Sequence, residues 1–273
     1  MKLKYEPIKI EDRKVYFNFG QGFKQKIFAR TFPILIGDNK YQSKAYGVLK
    51  TMTMLDKEYF DPFYTIRGAF AEYYAYLYLI DYYKNKLKLE NIRVETYENV
   101  KFDAFENNQV FGGKPDITMT SPIKVIHEVK SKDIKKYKEY LTNKNMDKSY
   151  KYEEDPSEYK QGYMYCVLSD TTKLVMVYVF IPEHIELALK KWVEGKTEEE
   201  INTFNPREFK VNKKNVFRDE LFYLLVPHKV DIEKTKQELN QAYITVRDTV
   251  RNGYIPLDWF YGSEKEELNL LPF

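Results

Sequence analysis

The nine residues from Lys173 to Ile181, Lys-Leu-Val-Met-Val-Tyr-Val-Phe-Ile, constrain the fold more than any other stretch of the chain. Their apolar run barely alternates, so a strand built from them must be covered on both faces, as in sheets that carry helices on each side. Further strands are expected over Ile92 to Tyr97, Val110 to Phe111, Asp116 to Met119 and Lys124 to Lys130, separated by Gly112-Gly113 and Ser121-Pro122. Helix signals surround them. Thr65 to Leu89 is helix-compatible, with Gly68, Glu72, Ala75 and Leu79 on one face at i, i+4, i+7 and i+11. Asp155-Pro156-Ser157-Glu158 supplies an N-cap, a proline at the first helical position and an acid at the third, so a helix starts there and runs to about Leu168. Before it, Ser131 to Glu154 is polar and lysine-rich, as a surface excursion would be.

The resulting order of helix, three or four strands, helix and strand implies an α/β fold, a mixed central β-sheet flanked by helices, over residues 65–182. Residues 1–64 read as an N-terminal elaboration. Residues 183–273 read as a mainly helical C-terminal region packed on the core, with helices near Glu183 to Glu194 and Asp231 to Asn252 and an aromatic tail, Asp258-Trp259-Phe260-Tyr261. Glycine and proline, 11 of each in 273 residues, are dispersed and mark no linker between independent domains.

Composition removes several classes of function. The single cysteine, Cys166, excludes disulfides within the chain and a cysteine-ligated zinc or iron–sulfur site, which fits a reducing compartment. Met1-Lys2-Leu3-Lys4-Tyr5-Glu6 lacks the apolar stretch of a signal peptide, and no window approaches the eighteen or so apolar residues of a membrane span. A cytoplasmic protein without a membrane partner is expected. The net charge of +3 tolerates a polyanionic partner without pointing to one.

The chemistry concentrates in two short segments, Gly113-Lys114-Pro115-Asp116-Ile117 and Glu128-Val129-Lys130. Side chains two apart on a strand share a face, so Glu128 and Lys130 project together, and a neighbouring strand can present Asp116 to the same point. Two converging carboxylates suit a hard cation, and phosphodiester hydrolysis needs such a cation to neutralise the phosphate and acidify an attacking water. A bland alternative exists: Asp116 as a turn residue after Pro115, with Glu128 and Lys130 as exposed neighbours on an edge strand. The apolar flank Lys124-Val125-Ile126-His127 argues instead for a central strand, where a Glu and a Lys must hold a metal or each other. His127 should face away from Glu128, as a structural histidine. His184 and His228 stand apart from any acidic cluster in the sequence. Gly112-Gly113 is a turn, since no Gly-Lys-Ser/Thr follows. On the next helix Gln161 and Tyr165 share a face at i and i+4.

Pro115-Asp116, Glu128-x-Lys130 and Gln161-x-x-x-Tyr165, in that order, resemble the RecB-like branch of the PD-(D/E)XK nucleases, which includes lambda exonuclease. Arg67-Gly68-Ala69-Phe70-Ala71-Glu72 resembles that branch's upstream helix motif, and the likeness spans about residues 65–181. It implies a restriction-endonuclease-like core and Mg²⁺ or Mn²⁺ held by Asp116, Glu128, the Val129 carbonyl and Glu72. It further implies Lys130 positioning the nucleophilic water, with Gln161 and Tyr165 lining the site. The iron–sulfur cluster of some branch members is not expected, because its four cysteines have no counterpart. The implied function is metal-dependent DNA cleavage, by an exonuclease acting on ends. The alternatives are a structure-selective endonuclease, or a catalytically silent DNA-binding or assembly protein on the same scaffold. The run from Lys130 to Lys138, including Lys132, Lys135 and Lys136, is either a solvated face or a surface that steers DNA phosphates inward.

Overall fold

A computed structural model describes residues 3–20, 26–55, 61–96, 110–146, 152 and 154–261. In chain order these form β1 (Lys9–Glu11), β2 (Lys14–Tyr16), β3 (Ile27–Phe28), α1 (Phe32–Ile36), α2 (Lys44–Thr51) and α3 (Pro62–Asp81), which ends in a π-helical turn (Tyr82–Lys86). Then come β4 (Arg93–Thr96), β5 (Phe111–Gly112), β6 (Ile117–Ser121), β7 (Val125–Asp133), α4 (Ile134–Met146), α5 (Pro156–Leu168) and β8 (Lys173–Ile181). The C-terminal part supplies α6 (Glu183–Val193), α7 (Glu198–Asn202), β9 (Lys210–Val211), β10 (Lys214–Asn215), β11 (Phe222–Lys229), α8 (Ile232–Asn252) and β12 (Tyr254–Pro256).

Five strands make the central sheet in the order β11-β8-β7-β6-β4. The β7–β8 pair is parallel and the other pairs are antiparallel, so the sheet is mixed, as the sequence implied. Helices cover both faces. Val129 of β7 and Val177, Val179 and Ile181 of β8 meet Phe63, Ile66, Phe70, Tyr74 and Leu79 of α3 together with Ile185 and Leu189 of α6. On the other face Ile126, Leu174, Met176, Tyr178 and Phe180 pack with Met164 and Cys166 of α5 and Leu239, Ala242 and Val246 of α8. That double burial is why β8 reads as an uninterrupted apolar run: Leu174 and every residue from Met176 to Ile181 are buried, and Val175 is half-buried. No helix among the described residues is long and apolar enough to cross a membrane.

The structure departs from the sequence reading in four places. Strand β7 runs to Asp133 rather than Lys130, and most of the expected surface excursion is helix α4, which buries none of its residues. Residues 147–151 and 153 of that excursion lie outside the described residues, as does Tyr97 of the expected strand over Ile92 to Tyr97. Strand β5 leaves the central sheet and pairs in parallel with β3 of the N-terminal region. The C-terminal region, expected to be mainly helical, also donates β11, an edge strand of the central sheet. Its β12 pairs with β2 of the N-terminal hairpin.

Candidate active site

Strand β7 is the middle strand, with two strands on either side. Its odd residues Val125, His127 and Val129 turn toward α3, while Ile126 turns toward α5. By the two-residue period Glu128, Lys130 and Lys132 therefore share the α5 side. The β6–β7 pairing sets Ile117 against His127 and Thr118 against Ile126, so the next rung places Asp116 opposite Glu128 on the same face. Asp116 is a bend residue just before β6 rather than a strand residue, and its Oδ2 accepts a 2.7 Å hydrogen bond from the Val129 backbone N–H. The expected turn residue and the expected strand neighbour are thus the same group.

The Lys130 ammonium donates to Glu128 Oε1 at 2.7 Å and to Gln161 Oε1 at 2.9 Å. Glu128 is 3% exposed, and its second oxygen, Oε2, is buried without a hydrogen-bond partner among the described residues. Desolvation pushes the Asp116 carboxyl well above the usual carboxylate range, reinforced by Glu128 and then Glu72, while Lys130 and the Val129 N–H pull it down. Glu72 belongs to α3 on the opposite face, yet its charge is felt at Asp116. Burial works against the Lys130 charge, and Glu128 and Asp116 outweigh it, so the ammonium is held above its ordinary range. Three carboxylates and one ammonium therefore share one electrostatic neighbourhood.

Helix α5 begins where the sequence placed it: Asp155 is the N-cap and accepts from the Ser157 N–H at 2.8 Å. Its close seat on β8 depends on Gly162, where a Cβ would lie 2.5 Å from Leu174 Cδ1. Sequence reasoning passed over this glycine, although it lies inside the Gln161-to-Tyr165 motif. Tyr165 is 7% exposed and packs against Gly113, where a Cβ would meet its Cε1 at 2.8 Å. Gly113 has φ +150°, so this approach also uses a conformation that favours glycine. Burial, followed by Glu128 and Asp116, raises the Tyr165 hydroxyl pKa well above its normal range, so it stays protonated. Tyr165 thus braces the Gly113-to-Asp116 segment from beneath.

Other sequence candidates find different places. Arg67 ion-pairs with Glu186 of α6 at 2.6 Å. Lys132 pairs with Glu158, Lys136 with Glu139, and Lys135 is exposed. His127 is fully buried on the far face, hydrogen-bonded through Nε2 to the Tyr83 hydroxyl at 2.7 Å. His228, which seemed remote from acids in the sequence, bonds to Glu154 Oε2 at 2.7 Å and to Tyr163 at 3.2 Å. Among the described residues no group of three or more His, Cys, Asp or Glu side chains is arranged to hold a metal ion by itself.

No protein-family description matches the chain, and no curated protein matches it. Among solved structures, a phage-related exonuclease from Haemophilus somnus 129PT is similar, with a TM-score of 0.48 and 15% identity over 84% of this chain and 97% of that one. A likeness of that degree carries no argument about chemistry.

Proposed function

We propose that the chain is a divalent-metal-dependent deoxyribonuclease that hydrolyses phosphodiester bonds at DNA ends. The observation that carries this reading is the orphaned Oε2 of Glu128, buried in the middle strand opposite Asp116. A buried carboxylate oxygen without a partner is costly unless a cation or an ordered water meets it. Mg²⁺ suits the donors, because it takes one or two carboxylates and keeps several waters, so it needs no closed cage of three acids. Asp116, Glu128 and the Val129 carbonyl would hold it, with Glu72 as a further acid, and Mn²⁺ accepts the same oxygen ligands. When bound, such an ion neutralises the scissile phosphate and lowers the pKa of a water.

The chain's own groups do the rest. Lys130 holds a proton-rich ammonium beside the two acids, where it orients the attacking water and stabilises charge developing on the phosphate. Gln161 keeps that ammonium from collapsing onto Glu128 alone, and Tyr165 fixes the loop that delivers Asp116. Lys135 and Lys136, at the start of α4, add positive charge for phosphates arriving at the site. The preference for ends rests on the family resemblance and on a sequence that offers no recognisable module for reading a site.

The test compares linear with covalently closed circular duplex DNA in Mg²⁺ or Mn²⁺, with and without excess EDTA. Linear DNA is degraded, closed circles persist, and chelator stops the reaction. Undiminished cleavage in EDTA overturns the metal chemistry, and equal rates on both substrates without prior nicking turn the assignment to an endonuclease.

A further inference from the structure

We propose that Lys132 and Glu158 are positioning residues for the Lys130 ammonium, forming a second rung that clamps the first turn of α5 to β7. The proposal rests on the nuclease reading above. Glu128, Lys130 and Lys132 follow one another along one face of β7, and Glu158 and Gln161, three apart on α5, oppose that row. Each lysine has its own partner on the helix: Lys130 meets Gln161 Oε1 at 2.9 Å, and Lys132 meets Glu158 Oε1 at 2.5 Å. The second pair is well shielded, its side chains 25% and 21% exposed, and the Lys132 ammonium also lies 5.5 Å from the centroid of the buried Tyr178 ring. Lys132 is therefore engaged inside the protein instead of facing incoming phosphate, contrary to one reading of the lysine run.

The geometry of α5 explains why this pair matters to chemistry. Helix ends are the least stable part of a helix, and Glu158 is the third residue of this one. Deeper in the helix, Lys160 pairs with Glu238 of α8, and Gly162 seats against Leu174. Those contacts hold the middle of α5 against α8 and β8. On the active side, Lys132–Glu158 ties down the turn that precedes Gln161. When that rung is lost the first turn tilts, Gln161 withdraws, and the ammonium of Lys130 swings toward its remaining acceptor on Glu128. An ion pair with a purely structural role would change stability and leave kcat alone.

The experiment measures kcat and KM on linear DNA with Mg²⁺, together with thermal melts, for wild type, Lys132→Met, Lys132→Arg, Glu158→Gln and the double variant Lys132→Met/Glu158→Gln. Misplacing a catalytic group lowers the chemical rate, so each neutral single variant should lose about tenfold in kcat with KM within about twofold of wild type. The double variant should be no worse than either single one, because both remove the same rung. Lys132→Arg should restore kcat to within about threefold of wild type, since a guanidinium can still bind Glu158. If Glu158→Gln does not fold, the contrast between Lys132→Met and Lys132→Arg decides. Unchanged kcat in folded neutral variants overturns the proposal, and so does a raised KM confined to the Lys132 variants, which would make Lys132 a phosphate contact. A wild-type protein that does not cut DNA overturns the nuclease reading itself, and the positioning role with it.

Discussion

His127 and Glu128 are adjacent on β7 but lie in opposite environments, because successive strand residues face opposite sides of a sheet. Burial lowers the His127 pKa to about 4, so the imidazole is neutral in the fold while the unfolded chain carries an ordinary histidine. The unfolded state then binds more protons between about pH 6.5 and 4, and this histidine's contribution to stability is present above that window and lost as pH falls through it. A shift of that size corresponds to a loss on the order of 3 kcal/mol. Denaturant melts of wild type and His127→Gln at pH 7.5, 5.5 and 4.5 check it. The stability difference between the two proteins should move by that amount in favour of the variant as pH falls. Asp116 titrates in both proteins and cancels in the difference. Parallel curves would mean that His127 keeps an ordinary pKa in the fold.

At the scale of elements, α5 shows how much of the site was legible and where legibility stopped. Asp155, Pro156 and Glu158 announce the helix start through local chemistry, and β8 announces itself through a run with no polar face. The shared face of Glu128 and Lys130 follows from the strand period alone. The partners of Lys132 and His228 do not, because Glu158 is 26 residues from the one and Glu154 is 74 from the other, and only the assembled sheet brings them together. Strand β11 stayed hidden because Phe-Tyr-Leu-Leu-Val-Pro-His-Lys contains Pro227, which is tolerated on an edge strand and argues against a central one. Helix α4 stayed hidden because none of its residues is fully buried and its apolar stripe is short, Ile134 and Tyr137 packing on the core amid lysines. Gly162 supplies this scale's prediction. An added methyl overlaps the buried Leu174, and overpacking of a core typically costs about 1–3 kcal/mol, more than the roughly 1 kcal/mol that alanine contributes to helix propensity. Gly162→Ala should therefore lower the melting temperature and also kcat, because Gln161 is its neighbour. A variant that melts higher and cuts at the wild-type rate would show that α5 does not need this close seat.

Across the whole molecule, the two ends of the described chain are joined in a small sheet of their own: β12 pairs with β2, and the Phe17 N–H donates to the Gly253 carbonyl at 3.0 Å. Ile255 of β12 is fully buried in the same core as Val15 and Phe17. Ile255→Ala removes core volume that its surroundings refill only in part, which typically costs about 2–5 kcal/mol. It should lower the denaturation midpoint and leave kcat per folded molecule unchanged. A loss of kcat in protein that is still folded would instead couple this small sheet to the site.

The central claim is that Asp116, Glu128 and Lys130 form one catalytic centre, and Lys130→Ala tests it most directly. The substitution leaves in place the carboxylates proposed to hold the metal and removes the ammonium proposed to act beside them. In a folded Lys130→Ala protein that still binds Mg²⁺ and DNA, single-turnover cleavage of linear DNA should be slower by on the order of 10²-fold or more, as expected for a group that acts in the transition state. Cleavage by that folded variant at the wild-type rate would contradict the account.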